Sequence, residues 1–241
     1  MIADTTSRER GRVEGTPNEE FNRPLLAVAI SAVLAVAVIA TIVATNPFIP
    51  ADAAVERYVQ SINWYPLSLT FPFFSWIGDA KGAVAEAFLF IAVLIFNRRA
   101  WRLVIAVGMT GIWYQVLAHL IMRPRPTTDQ VLRVTEHPGA SSFPSGHTIF
   151  VTTLAVLLML SFGNRFLPRW ARPAGWVLVM MTAIACAISR VYTGTHWPTD
   201  VLAGLVIAIA WIALVLSVRW ISDGALRSEP LSRAESVPVH R

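Results

Sequence analysis

Long apolar blocks separated by short polar stretches dominate the chain. Residues 25–44 contain no charge, and at about 1.5 Å per residue they span roughly 30 Å of hydrocarbon. Further apolar blocks lie at about 82–97, 103–122, 147–162, 174–189 and 200–220. The pattern predicts an all-α, polytopic membrane bundle of about six transmembrane helices.

The second block is the least apolar, because Lys81 and Glu86 leave only residues 87–97 without charge. Such a span must tilt or turn Glu86 towards protein or water, and we interpret Glu86 as a structural residue near a helix end. Residues 46–79, between the first two spans, mix polar and aromatic residues with four prolines. That composition predicts a loop at the membrane interface.

Both ends of the chain are polar. Residues 1–23 carry four arginines and five acids, which predicts a disordered cytoplasmic tail. Residues 223–241 are expected to form a second cytoplasmic tail, and 24–222 the six-helix membrane domain. A cleaved signal peptide is the alternative for the first span, but its apolar run is long for one and the preceding tail is net negative.

Composition agrees with a membrane protein. Hydrophobic residues make up 55% of the 241 residues and charged residues 15%, with a mean hydropathy of +0.55. These values exclude a disordered or fibrous protein and argue against an ordinary cytosolic enzyme. Cys186 is the single cysteine, so an intramolecular disulfide or a cysteine-based zinc cluster is excluded and its expected role is packing.

The chain has a net charge of +5, and its basic residues are distributed unevenly over the predicted topology. With the N-terminus in the cytoplasm, 14 of the 20 Lys and Arg residues fall at inner segments, and an excess of basic residues marks the cytoplasmic side. Both termini are therefore expected in the cytoplasm of a multi-pass cell-membrane protein. Because the basic residues do not gather on one helix face, no nucleic-acid partner is expected.

The loops that precede the fourth and sixth spans emerge on the same outer face, and they contain residue types suited to phosphate. The guanidinium groups of Arg125 and Arg190 can bind phosphoryl oxygens in pairs. Ser145 and Gly146 precede an apolar helix, so the hydroxyl and the backbone N–H groups would face an anion at the helix N-terminus. Glycine there permits close approach of the backbone.

Two histidines and one aspartate complete this set. His196 and Asp200 are four residues apart, with Pro198 able to start a helix between them. A carboxylate so placed accepts from one imidazole nitrogen and leaves the other free to attack phosphorus. His147 then supplies the proton for the leaving oxygen. Because no carboxylate cluster is present to hold Mg²⁺, we predict no metal and no other cofactor.

Three motifs in these loops resemble the signature blocks of the type 2 phosphatidic acid phosphatase superfamily, also called lipid phosphate phosphatases. They are Arg125-Pro126, Pro144-Ser145-Gly146-His147 and Ser189-Arg190-x5-His196-x3-Asp200. The motifs cover about residues 118–200, and the six-span layout extends the resemblance over 25–220. The resemblance implies a metal-independent membrane phosphatase that works through a phosphohistidine.

The roles implied by the resemblance agree with those argued from the residues. His196 would carry the phosphoryl group, Asp200 would orient it and His147 would act as the acid. The phosphoryl group would be stabilised by Arg125, Arg190, Ser145 and Gly146.

One position departs from the family pattern. The first block normally opens with a lysine seven residues before its arginine, and here Ala118 stands at that position. We expect Arg123, in the same loop, to supply the missing phosphate-binding cation, ahead of His119 and Lys81. The absent lysine also leaves open a non-catalytic member.

The expected activity is hydrolysis of a lipid phosphate or diphosphate at the outer face. Undecaprenyl diphosphate, phosphatidylglycerophosphate and phosphatidate all fit, and we expect the loop 127–143, which includes Glu136, to shape headgroup selection. A lipid phosphotransferase with the same site, or a non-catalytic lipid-binding or transport protein, is the alternative. Transporters predict internal repeats and helices broken at midplane, which the sequence lacks. Membrane lipids are the expected partners, and no obligate protein partner is evident.

Overall fold

The computed structural model describes residues 21–78, 82–136 and 139–226. Most of the two predicted tails, 1–23 and 223–241, therefore lies outside the described residues, as does Lys81. The last helix of the described chain runs from Arg219 to Leu226, across the predicted boundary at 222.

The described residues form eleven α-helices and no strand. In chain order they are α1 (Arg23–Thr45), α2 (Pro50–Ser61), α3 (Phe71–Ile77), α4 (Gly82–Phe96), α5 (Trp101–Gly108), α6 (Thr110–Ile121), α7 (Gly146–Leu158), α8 (Asn164–Phe166), α9 (Arg172–Tyr192), α10 (Pro198–Ser217) and α11 (Arg219–Leu226).

Five helical segments of the described chain are long and apolar enough to cross a membrane. They are α1, the run Arg98–Ile121 that contains α5 and α6, the run Gly146–Phe166 that contains α7 and α8, α9 and α10. The second predicted span corresponds to α4, which has only 15 residues. The predicted all-α membrane bundle is confirmed, with α4 as its short member.

The prediction of a loop over residues 46–79 is wrong, because much of this segment is helical. Pro50 occupies the first turn of α2 and Pro72 the first turn of α3, where the missing N–H of proline leaves no helical hydrogen bond unmade. Residues Asp52, Glu56 and Gln60 follow one another at helical spacing and are all buried. The segment is thus a pair of short helices that turn polar side chains inward.

The centre of the bundle is α7, which packs against α9, α10 and α6. Its buried face includes Ile149 and Leu157. The first helix, α1, lies along α10, and the buried Ala29 and Ala32 allow close approach of the two helices. Cys186 is fully buried in an apolar cluster, which agrees with the predicted packing role.

Backbone geometry at the end of α6 directs the chain into the first outer loop. Met122 adopts a left-handed conformation with φ of 48°, which ends the helix because it cannot continue the right-handed spiral. The next residue, Arg123, is thereby turned from the helix surface into the protein and is 1% exposed.

Candidate active site

The predicted histidine nucleophile lies in the short connection between α9 and α10. His196 is 2% exposed, and its Nδ1 lies 2.6 Å from the backbone carbonyl oxygen of Ser142. A carbonyl only accepts, so the ring carries its proton on Nδ1 and its lone pair on Nε2. The connection holds this shape through Gly194, whose φ is +73° and where a Cβ would lie 2.2 Å from the carbonyl oxygen of Arg133.

The surroundings of His196 keep its ring uncharged. Burial lowers the pKa of His196 well below the ordinary value of 6.5, and the charges of Arg125, His147 and Arg190 lower it further. The hydrogen bond to the Ser142 carbonyl acts in the opposite direction. A neutral imidazole with an available lone pair is the form required of a nitrogen nucleophile.

Asp200 does not accept a hydrogen bond from His196, which corrects the predicted contact. The Asp200 carboxylate oxygen Oδ2 lies 3.9 Å from His196 Nδ1, beyond hydrogen-bond distance. This oxygen instead accepts from the backbone N–H of Trp197 at 2.9 Å and so caps the N-terminus of α10. The hydrogen bond that orients His196 is donated by its own Nδ1 to the Ser142 carbonyl at 2.6 Å, and the Asp200 carboxylate lies next to the ring beyond hydrogen-bond distance.

Arg125 spans the space between the two outer loops. Its guanidinium donates to three carbonyl oxygens, those of Gly139 at 3.1 Å, Ser141 at 2.6 Å and Thr195 at 2.5 Å. These contacts use three of the five N–H donors of the side chain. The remaining donors stay available to an anion beside His196, the neighbour of Thr195 in the chain.

Arg190 is fully buried near the end of α9. Its Nη1 donates to Glu136 at 3.1 Å, and its Nη2 donates to the hydroxyl of Ser75, which itself donates to Glu136. The Nε of Arg190 is buried without a hydrogen-bond partner in the described part of the protein. A buried guanidinium with an unused donor is suited to receive an oxyanion.

The second histidine of the site begins α7. Nε2 of His147 lies 3.2 Å from the carbonyl oxygen of Ser75, which assigns a proton to that nitrogen. The ring packs so closely on Gly78 that a Cβ there would lie 2.1 Å from a ring carbon. Helix α3 and the residue after it therefore fix the orientation of His147.

Ser145 and Gly146 stand at the start of α7, as predicted. The backbone N–H of Ser145 donates to the carbonyl of Asp200 at 3.1 Å, and its buried hydroxyl accepts from Thr148 at 2.9 Å. Ser145 thus ties the start of α7 to α10. The first-turn N–H groups of α7 have no acceptor within the helix, and together with the helix dipole they favour an anion at this end.

Arg123 does not occupy the position expected of a phosphate-binding cation. Its guanidinium donates to the carbonyl of Pro47, to Thr199, to Asp200 at 2.5 Å and to Asp52 at 2.7 Å. Four of its five N–H donors are thus used inside the protein, and these contacts do not support the compensating role. His119 is exposed and contacts the carbonyl of Gln115 in its own helix.

Several residues that complete the site were missed in the sequence. Ser75 and Asp52 lie in the segment that was interpreted as a loop, and Ser142 contributes only its backbone carbonyl. A signal for Asp52 was present, because Pro50 and the four-residue spacing of Asp52 and Glu56 are typical of a helix with one polar face. No comparable signal marks Ser142.

Both the sequence and the fold match known proteins. A family model described as the PAP2 superfamily matches residues 99–223. The undecaprenyl-diphosphatase of Sulfolobus acidocaldarius is 36% identical over 124 residues, which are 52% of this chain and 54% of that protein. The undecaprenyl-diphosphatase BcrC of Bacillus subtilis is 35% identical over 132 residues, which are 52% of this chain and 63% of that protein. The match thus spans less than two thirds of either relative.

A solved structure shares the fold over most of the chain. It is the transmembrane PAP2-type phosphatidylglycerolphosphate phosphatase of Bacillus subtilis, which superposes with a TM-score of 0.66 at 21% sequence identity. The superposition covers 83% of this chain and 98% of that protein. The helical arrangement described above is therefore one that a known membrane protein adopts.

Proposed function

The chain belongs to the PAP2 superfamily, and on this basis we propose that it hydrolyses the phosphate ester or diphosphate of a membrane lipid through a phosphohistidine on His196. The observation that carries the proposal is the bond from His196 Nδ1 to the Ser142 carbonyl. This bond leaves the Nε2 lone pair free on an uncharged ring beside Arg125 and Arg190. A phosphoryl group held by those two arginines is placed for attack by that lone pair.

In the proposed reaction the lone pair of His196 Nε2 attacks phosphorus, and the bond from phosphorus to the lipid-side oxygen breaks. His147 protonates that oxygen as it leaves. The contact of His147 Nε2 with the Ser75 carbonyl holds the ring of this proton donor in place. Water then attacks the phosphorus of the phosphohistidine while His147 accepts a proton from it, the bond from phosphorus to His196 Nε2 breaks, and inorganic phosphate leaves with His196 restored.

The arginines stabilise the charge that develops on the phosphoryl oxygens. Arg125 and Arg190 present planar pairs of donors to those oxygens. The N–H groups at the start of α7, beside Ser145 and Gly146, add partial positive charge from a third direction. These N–H donors provide the charge stabilisation that a divalent cation provides in other phosphatases. Metal independence is therefore part of the proposal.

The proposed substrate is a lipid phosphate or diphosphate, with undecaprenyl diphosphate first and phosphatidylglycerophosphate second. The curated relatives named above support the first, and the structural relative names the second. The catalytic loops lie at the ends of membrane helices, where a headgroup meets water while its chain stays in lipid. The distribution of basic residues favours cytoplasmic termini and a site at the outer face.

The proposal is tested with purified protein in detergent and a panel of lipid phosphates, with inorganic phosphate measured in the presence of a chelator. We expect phosphate release from a lipid diphosphate to survive chelation, since no step uses a metal. Phosphate that appears on a second lipid rather than in solution would indicate phosphotransfer instead. Binding of lipid without release would indicate a non-catalytic protein, and loss of turnover on chelation would contradict metal independence.

The contact between Gly78 and His147 leads to a second prediction. We expect Gly78→Ala to lower kcat by about 100-fold, because the added methyl group would overlap the His147 ring and displace the proton donor. The backbone at Gly78 has φ of −91°, which alanine adopts without strain, so the effect is purely steric. The measurement is steady-state phosphate release.

Gly111→Ala is the matched control, because a Cβ at Gly111 meets nothing within 4 Å. Its activity should equal that of the wild type. Equal activities of the two variants would show that His147 is free to move and that its observed position is not required.

A further inference from the structure

Three buried charged residues form a row next to His196. Asp52 on α2 accepts from Arg123 at 2.7 Å, and Arg123 donates to Asp200 on α10 at 2.5 Å. The three side chains are at most 3% exposed. Two carboxylates share one guanidinium, so with both carboxylates ionised the row Asp52–Arg123–Asp200 carries a net charge of about −1.

Asp52 is held in place by more than the ion pair. Its carboxylate also accepts from the backbone N–H of Thr199 at 3.0 Å and from the Thr199 hydroxyl at 2.6 Å. Thr199 lies in the first turn of α10, immediately before Asp200. Asp52 therefore fixes both the guanidinium and the helix end that present the Asp200 carboxylate to His196.

A second acidic side chain lies one turn further along α2. Glu56 is fully buried, and burial, together with the nearby charges of Asp200 and Asp52, raises its pKa to about 9. Glu56 is thus protonated at neutral pH and adds no charge to the row. It provides a matched site where an acid can be replaced without changing the local charge.

The charge beside His196 decides how readily its ring becomes cationic. When Nε2 forms a bond to phosphorus while Nδ1 keeps its proton, the imidazole becomes a cation. The groups from the other elements that act on the ring, Arg125, Arg190 and His147, disfavour this charge. Asp200, 3.9 Å from Nδ1, favours it, but Arg123 alone would cancel the effect of Asp200.

We propose that Asp52 is a positioning residue for the nucleophile, which balances Arg123 so that a net negative charge remains beside the His196 ring and stabilises its phosphorylated, cationic form. This inference rests on the proposed function. Asp52 lies outside residues 99–223, which the family model matches, so the role belongs to a segment that the family motifs do not cover.

Asp52→Asn tests the proposal, because it removes the charge and keeps the shape. We expect kcat to fall about tenfold with KM unchanged, and the acid limb of the pH profile to move about one unit lower, as a buried unit charge several ångström away predicts. The wild-type limb itself should lie below pH 6.5, since the pKa of His196 is lowered. Asp52→Glu, which keeps the charge, should leave the limb in place.

Two further variants separate charge from structure. Glu56→Gln changes no charge and should leave both kcat and the acid limb unchanged. Arg123→Gln removes a positive charge and should move the acid limb to higher pH. Each single variant alone therefore tests the direction in which the charge of the row shifts the pKa of His196. In the double variant Asp52→Asn, Arg123→Gln the net charge is restored, and the limb should return to the wild-type position.

A fall in kcat without any movement of the limb would reduce Asp52 to a structural role and overturn the proposal. A titration of His196 without substrate distinguishes a failure of this proposal from a failure of the proposed function. With carbon-13-labelled histidine, the His196 resonance is identified by its absence from His196→Ala, and its titration should move in the same directions. A wild type that releases no phosphate contradicts the function, whereas an unmoved titration in Asp52→Asn contradicts the role of Asp52.

Discussion

Phosphate release should fall by about 10⁴-fold or more in His196→Ala, because no other side chain can carry the phosphoryl group in the proposed reaction. The ring is buried, held by the Ser142 carbonyl and uncharged, so its removal takes away the nucleophile without leaving an unpaired charge. The measurement is steady-state phosphate release from a lipid diphosphate in detergent, with melting temperature as a check on folding.

His119→Ala is the matched control, because that histidine is exposed and its Nδ1 contacts the carbonyl of Gln115 in its own helix. It should retain wild-type activity. The phosphorylated enzyme, trapped with a phosphorus-32-labelled substrate, should lose its label in acid and keep it in alkali, as expected of a phosphorus–nitrogen bond. Full activity of His196→Ala, or a label that resists acid, would overturn the mechanism.

Arg190→Ala is expected to lower kcat/KM by about 10³-fold, because it removes a donor aimed at the charge that forms in the transition state. Arg190→Lys should recover little of this loss, since an ammonium group cannot reproduce the paired N–H donors. Both variants also release Glu136 and Ser75 from their contacts with Arg190. The kinetic constants are measured with the same assay as for His196.

The control for Arg190 is Arg169→Ala, at an exposed position in the connection between α8 and α9. This variant should match the wild type. If Arg190→Ala raised KM alone and left kcat unchanged, Arg190 would bind the headgroup equally in ground and transition states, and its proposed stabilising role would be wrong.

The sequence predicted most of the fold because the bilayer imposes a simple rule on the chain. A block such as residues 25–44 has no stable place other than the hydrocarbon, so α1 was visible from composition alone. The bilayer rule gives no information on α2 and α3, because these helices lie between spans. Their prolines are equally typical of loops. The spacing of Asp52 and Glu56 favours a helix after Pro50, whereas no comparable spacing marks the helix that begins at Phe71.

The structure brings some of the predicted site residues close to one another. His147, Arg190 and His196 belong to motifs whose spacing within a few residues sets their placement. The partners of these residues could not be read in the same way, because Ser75 is 72 residues from His147 in the chain and 115 from Arg190. Contacts over such separations depend on how the helices pack, and a single sequence carries no direct record of that packing.

Arg123 illustrates how the type of a residue can suggest the wrong role. A loop arginine two positions before Arg125 suggested a second phosphate ligand in place of the lysine absent at Ala118. The left-handed Met122 turns Arg123 inward, between Asp52 and Asp200. The left-handed turn at Met122 and the carboxylates that receive Arg123 come from different parts of the fold, and the sequence around Arg123 does not reveal them.

The pairing of α1 with α10 has a consequence for the order of events during synthesis. The first helix enters the membrane about 150 residues before its packing partner leaves the ribosome, at a synthesis rate of about 5–20 residues per second. Its small-residue face must therefore remain against lipid for about 8–30 seconds. Asp52, carried just behind α1, meets Thr199 and Asp200 only when α10 inserts. Asp52 and Arg123 both precede α10 in the chain, so the synthesis of this last span completes the row of buried charges by adding Asp200.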